Sequence, residues 1–100
     1  AVCKLEINEN HLNGLGLVNG GVLFTIADYA MAVAANANGS KTVTLNSTID
    51  FIKSAKEGTL IAVAIPIKTG RTISRYKVEI TLEETSLLIA VLNATSYTLV

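Results

Sequence analysis

Only one stretch of this chain has the spacing of a helix. From Gly20 to Ala37, Leu23, Ala27, Ala30 and Ala34 form one apolar stripe, and Val22, Ile26, Tyr29 or Ala30, and Val33 form the stripe beside it. Together they predict a largely buried helix. Its alanines favour the helical state and let a sheet approach closely. Asn36, Asn38 and Gly39 end it, with Gly39 as a left-handed C-terminal residue. The other segments alternate with period two or turn. Cys3, Leu5 and Ile7 share one face of a strand over Val2–Asn8, and Glu9–Gly16 reads as a loop rich in Asn and Gly. Val43, Leu45, Ser47, Ile49 and Phe51 share one face of the next strand; Thr42, Thr44, Asn46, Thr48 and Asp50 share the other. After a turn at Lys53–Gly58, Thr59–Ile67 is apolar on both faces, as in a central strand, and Pro66 marks a bulge or the end of pairing. After a turn at Thr69–Arg71, Tyr76, Val78, Ile80 and Leu82 alternate with polar residues. Glu83–Thr85 turns again and Leu87–Val100 is a last long strand. The order β-α-β-β-β-β implies an α+β fold, a five-stranded antiparallel sheet wrapped over one long helix. The first strand crosses to its partner by way of that helix.

Composition narrows what such a fold can do. The 100 residues make one domain, residues 1–100, without internal repeat or linker. Eight basic residues balance eight acidic ones, which argues against an electrostatic nucleic-acid binder. Half the chain is apolar and 16% is charged, against roughly 25% in an average domain, so disorder is excluded. A membrane span is not expected, because Val22–Ala35 carries Asp28 at its middle and Leu60–Ile67 falls short of the ~20 residues required. No charged-then-apolar leader opens the chain, so cytoplasmic residence is the default; the first residue is Ala1 rather than Met, which leaves room for residues before it. The lone Cys3 makes no internal disulfide, and one Cys with one His is too few for a protein-only zinc site. With so few charges to cover its surface, a domain of this size is expected to form a symmetric oligomer that hides an apolar sheet face or edge.

The candidate chemistry lies in His11–Asp28, HLNGLGLVNGGVLFTIAD. Gly20 and Gly21 stand where the helix begins. Glycine there eases a tight loop-to-helix turn and close contact with a strand. It also bares helix N-terminal N–H groups, which favour negative charge, such as a carbonyl oxygen becoming an oxyanion. Asp28 lies two turns inside an otherwise apolar or small-residue helix, where Asp is a poor choice. Either loop amides hold its carboxylate or it emerges on a narrow exposed edge, or it faces a cleft as general base or nucleophile. Gly20 and Asp28 are ~12 Å apart along a helix. One subunit does not readily bring both to one small reacting group, whereas two subunits about a two-fold axis do.

These residues resemble the hotdog-fold acyl-CoA thioesterases of the phenylacetic-acid-pathway and hydroxybenzoyl-CoA thioesterase group. Their pattern, N-x-x-G-x-x-H-G-G followed by a helix with Asp or Glu, reads here from Asn13 through Asn19-Gly20-Gly21 to Asp28. The resemblance continues through Ser47–Gly58 and Thr69–Thr72 and covers nearly the whole chain. It implies a hotdog fold and the hydrolysis of an acyl-CoA thioester to free acid and CoA. Coenzyme A is part of the substrate, and no other cofactor is implied. Asp28 is then the catalytic carboxylate, as base or nucleophile, and Gly20 the amide that polarises the carbonyl. Asn13 orients substrate or water from the same subunit as Gly20, and Thr44 holds the attacking water. Lys53, Lys56, Gly70, Arg71 and Thr72 are candidates for contacts to CoA, the three cations for its phosphates. Each of those cations is equally an ordinary solvated turn charge. The resemblance further implies a homodimer, or a dimer of dimers, with its site between subunits.

Position 19, usually His in that group, is Asn. Asn donates a hydrogen bond or holds a loop but does not exchange a proton near pH 7. A non-catalytic acyl-CoA-binding hotdog protein is therefore the alternative function. A hotdog dehydratase or hydratase is a third; it requires a catalytic His, and the only one, His11, lies eight residues upstream of position 19 as a loop residue fixing the strand exit.

Overall fold

A computed structural model describes residues 1–37 and 39–99. Strand β1 spans Val2–Glu6, helix α1 Gly20–Ala35, and strands β2 to β5 span Thr42–Phe51, Thr59–Lys68, Ile73–Leu82 and Leu88–Thr98. A single 3₁₀ turn at Glu9–His11, inside the expected loop, pins the exit from β1: the Asn8 side chain accepts from Asn10 N–H, and His11 Nδ1 accepts from Asn8 N–H at 3.0 Å. His11 thus fixes the strand exit, as expected of it.

The five strands form one antiparallel sheet in the order β1-β3-β4-β5-β2. The partner of β1 is β3, so α1 carries the chain from one edge of the sheet to the other. β3 lies inside the sheet, but β4 is central. The inward positions Leu60, Ala62, Val78, Ile80, Ala90 and Leu92 are fully buried beneath the helix. Small residues at 62, 90 and 94 let α1 lie close to the sheet, and Met31 fills the space left over it.

The helix is less buried than its two apolar stripes predict. Leu23, Ala27 and Ala30 are in the core with Ile26, Met31 and Ala35, but Tyr29 is 62% exposed and Val33 42%. One sheet has one face to offer, so the second stripe beyond Ile26 has nothing to pack on. Asn36 closes the helix, its N–H donating to Ala32 O, and Gly39 has φ +78°, as expected. Asn38 and Val100, assigned above to the helix stop and the last strand, lie outside the described residues.

β2 departs from simple alternation. Thr44 pairs with Ser96 and Asn46 with Thr95, which leaves Leu45 as an extra residue. The bulge reverses the pleat. Thr42 and Thr44 therefore share the helix-facing side with Ser47, Ile49 and Phe51, while Val43 joins Asn46, Thr48 and Asp50 on the other. The single-face grouping expected for Val43 and Phe51 is corrected accordingly. A second irregularity, between Pro66 and Lys68, falls where Pro66 withholds its donor.

Candidate active site

The loop before α1 is built by its own polar groups. Leu12 and Val18 bridge; Asn13 Oδ1 accepts from Leu15 N–H at 2.9 Å and Leu17 N–H at 3.1 Å. Val18 N–H donates to Ala55 O and Asn19 N–H to His11 O, both at 2.8 Å. The loop is thereby tied to the turn after β2 and to the 3₁₀ turn. Asn19 is the N-cap of α1, its Oδ1 accepting from Gly21 N–H at 2.8 Å. It satisfies one of the exposed donors that a helix start leaves. The next donor, the Gly20 N–H, has no acceptor among the described residues. It remains available to an oxygen from outside, at the positive end of the helix dipole.

Gly20 borders a cleft of about 240 Å³ lined also by Asn13, Leu23, Phe51, Lys53 and Ser54. The structure thus gathers Gly20, Asn13 and Lys53 around one small space. Asp28 is not in it. Asp28 is half-buried, on the same edge of the helix as Gly20 and Phe24, two turns further on. Thr44 stands on the helix-facing side of β2 because of the bulge at Leu45.

The other CoA candidates divide between the two ends of the helix. Gly70 and Arg71 line a second cleft of about 240 Å³ with Ala34, Ala35, Ser74 and Ser96, at the C-terminal end of α1. A 16-residue helix is ~24 Å long, so one chain does not bring Lys53 and Arg71 together. Lys56 is exposed and lines neither cleft; Thr72 is half-buried, its carbonyl accepting from Thr98 N–H at 2.7 Å. Gly70 is obligatory in its turn, because a Cβ there would meet Ile73 O at 2.1 Å. Ser74 Oγ accepts from Gly70 N–H at 3.1 Å and so holds the turn. Ser74 and Ser96 were not singled out from sequence. Their signal was available, as hydroxyls at inward positions of strands whose other inward residues are apolar or aromatic.

A larger cavity, about 750 Å³, opens on the opposite flank of the helix between Val22, Ile26, Tyr29 and the residues Cys3, Leu5 and His11. It includes Asn19 and Gly21 but neither Gly20 nor Asp28. Within one chain His11 therefore lines a space apart from Asp28.

Residues 15–89 match the family profile of the thioesterase superfamily. The chain belongs to that family. Acyl-coenzyme A thioesterase PaaI of Escherichia coli is 37% identical over 81 residues, which are 80% of this chain and 58% of that protein. The chain spans 52–66% of the length of the curated relatives it matches. The solved structure of the E. coli PaaI protein from the phenylacetic acid degradation operon superposes with a TM-score of 0.94 at 30% identity, over 99% of this chain and 72% of that one. A thioesterase protein from Streptococcus pneumoniae, solved with coenzyme A, superposes with a TM-score of 0.92 at 27% identity, over 98% of this chain and 77% of that one. The α+β architecture expected from the order of elements, and the hotdog fold that the resemblance implied, are those of these thioesterase structures.

Proposed function

We propose that this thioesterase-superfamily chain hydrolyses an acyl-CoA thioester to free acid and CoA, at sites shared between two copies of the chain. The observation that carries the reading is the unpartnered Gly20 N–H at the start of α1, beside Asn13 in a small cleft, with a carboxylate ~12 Å along the same helix edge. The S. pneumoniae relative solved with coenzyme A supports the substrate class.

The sheet edge supports the assembly. β1 is short and carries Lys4 and Glu6, which protect an exposed edge. β2 has ten residues, no Lys or Arg, and exposed Val43 and Leu45. Such an edge is expected to be paired, and a second β2 about a two-fold axis pairs it. The same axis lays the two helices side by side. Gly20 of one protomer then faces the partner subunit's Asp28, and the Lys53 end of one helix faces the Arg71 end of the other. No single chain achieves either pairing. A dimer of dimers extends the same unit.

In the chemical step the Gly20 N–H holds the thioester oxygen and gains strength as charge develops on it. Asp28 takes a proton from the attacking water, which Thr44 holds, or attacks the carbonyl itself to give an anhydride that water opens. Collapse expels the CoA thiolate, which takes up a proton. Asn13, its Oδ1 committed to the loop, keeps its NH₂ for the substrate or water. Lys53 and Arg71 are the cations for the CoA phosphates, with Gly70 shaping the second turn and Thr72 and Lys56 flanking. A non-catalytic acyl-CoA binder is the competing reading, and turnover separates the two. Across short, long and aromatic acyl-CoAs the protein is expected to hydrolyse at least one, and Asp28→Asn to lower kcat by ~10²–10⁴ with folding intact. Parent-like turnover in that variant refutes the role of Asp28. Binding without turnover in the parent selects the binder.

A further inference from the structure

Phe51 ends β2 on the side that faces the helix, and its ring rests on Gly20. A Cβ built at Gly20 would lie 3.1 Å from the ζ carbon of that ring and 3.4 Å from an ε carbon. This is tighter than ordinary van der Waals contact, so residue 20 is glycine for a packing reason as well as for its bare amide. Yet Phe51 is 56% exposed. The backbone just after it is anchored, since both Ile52 N–H and Lys53 N–H donate to Ile89 O, at 2.8 and 3.1 Å. An aromatic ring is thus held against Gly20 while more than half of its surface stays open in the single chain.

The open surface borders the cleft that Gly20, Asn13, Lys53 and Ser54 share. The polar side chains lining that cleft are those of Asn13, Lys53 and Ser54, and its apolar lining includes Phe51, Leu23, Val18 and Ala55. Phe51 touches Gly20 and lies two residues before Lys53. A CoA thioester carries a carbonyl, a sulfur with two methylenes, an amide, and a distant phosphate. With the carbonyl on Gly20 and the phosphates toward Lys53, the methylenes next to sulfur lie along Phe51.

We propose that Phe51 is a substrate-binding residue on the leaving-thiol side of the site, its ring holding the thioethyl segment beside the scissile bond. The proposal rests on the acyl-CoA reading and adds to it the surface that recognises the thiol rather than the acyl group. Contact with the same segment in substrate and transition state is uniform binding, which appears in KM rather than kcat.

The experiment compares the parent with Phe51→Leu and Phe51→Tyr on CoA thioesters and N-acetylcysteamine thioesters of the same acyl groups. N-acetylcysteamine keeps the thioethyl amide and lacks the phosphates. Phe51→Leu is expected to raise KM about tenfold for both carriers, the scale of a small apolar contact in a pocket. Its kcat and its ranking of acyl lengths are expected to stay those of the parent, and Phe51→Tyr, which keeps the ring, to keep the parent KM. An unchanged KM for both carriers overturns the proposal. A changed ranking of acyl lengths also overturns it, because it moves the ring to the acyl side. If the parent hydrolyses no thioester, the catalytic reading fails separately. Phe51 is then judged by CoA affinity, expected to fall about tenfold in Phe51→Leu on the same contact scale; equal affinity overturns the proposal. If Phe51→Leu does not fold, Phe51→Met takes its place in each comparison.

Discussion

The proposed sharing of the site between two copies makes a geometric demand that one residue can test. In two antiparallel helices related by a two-fold axis at residue n, residue n + k of one faces residue n − k of the other. For Gly20 to face the partner subunit's Asp28, the axis must pass at residue 24. Phe24 occupies that position, one turn from each, on the same helix edge and 37% exposed. Packed helices lie 8–10 Å apart with Cα atoms ~2.3 Å from each axis, which brings two facing Cα atoms to about 3.4–5.4 Å. A disulfide spans the upper part of that range. The chain's only thiol is Cys3, so the background is Cys3→Ser. In it, Phe24→Cys is expected to form a disulfide dimer on oxidation, seen on a non-reducing gel and lost with reductant. Ala32→Cys, eight residues further on, would face a position sixteen residues from its own copy, or ~24 Å, and is expected to stay uncrosslinked. Sedimentation of the parent is expected to give a dimer. An active protein whose Phe24→Cys form remains uncrosslinked, or whose Ala32→Cys form links as readily, refutes the pairing of Gly20 with Asp28.

Three further outcomes are expected. Gly70→Ala would set a methyl against Ile73 O at 2.1 Å. The turn must open to relieve that overlap, and thermal melting should show a loss of about 1–3 kcal/mol, as other strained substitutions do. Asn19→His tests position 19: where the role is the cap seen here, turnover keeps the parent pH profile, and where it is proton transfer, turnover rises with a dependence between about pH 5 and 8. Finally, the Thr59 N–H donating to Glu84 holds that carboxyl below its ordinary value of 4.5. A folded value below the unfolded one gives stability that is present above the usual Glu range and lost as pH falls through the lowered value. Acid melts of the parent should show that loss, and Glu84→Gln should flatten it; identical acid profiles would refute the contribution of Glu84.

The candidate site was legible in parts. Gly20 and Asp28 stood out because each breaks a local rule, bare glycines at a helix start and a carboxylate in an apolar helix. The cap made by Asn19 was within reach of sequence, since Asn before a helix is a common cap. Phe51 was not. From sequence it is one more apolar residue in an alternating strand, and only the approach of β2 to the start of α1 sets its ring on Gly20. Thr44 was named through a resemblance, while alternation placed it on the wrong face.

The sequence by itself determined the number and order of elements, because periodicity and turn chemistry are local. The helix start at Gly20, the ten residues of β2 and the break near Pro66 follow from residues within a few positions of each other. Tertiary structure decided the rest. It paired β1 with β3 rather than with the strand that follows the helix, left Tyr29 and Val33 without a surface to pack on, and slipped the pleat at Leu45. A bulge adds one residue without changing composition, so no hydrophobic pattern marks it, yet it reverses every side chain on one side of it. That reversal turns Thr44 toward the helix. The separation of Lys53 from Arg71 by the length of α1 is likewise a property of the packed chain, since it depends on which sheet edge each turn reaches.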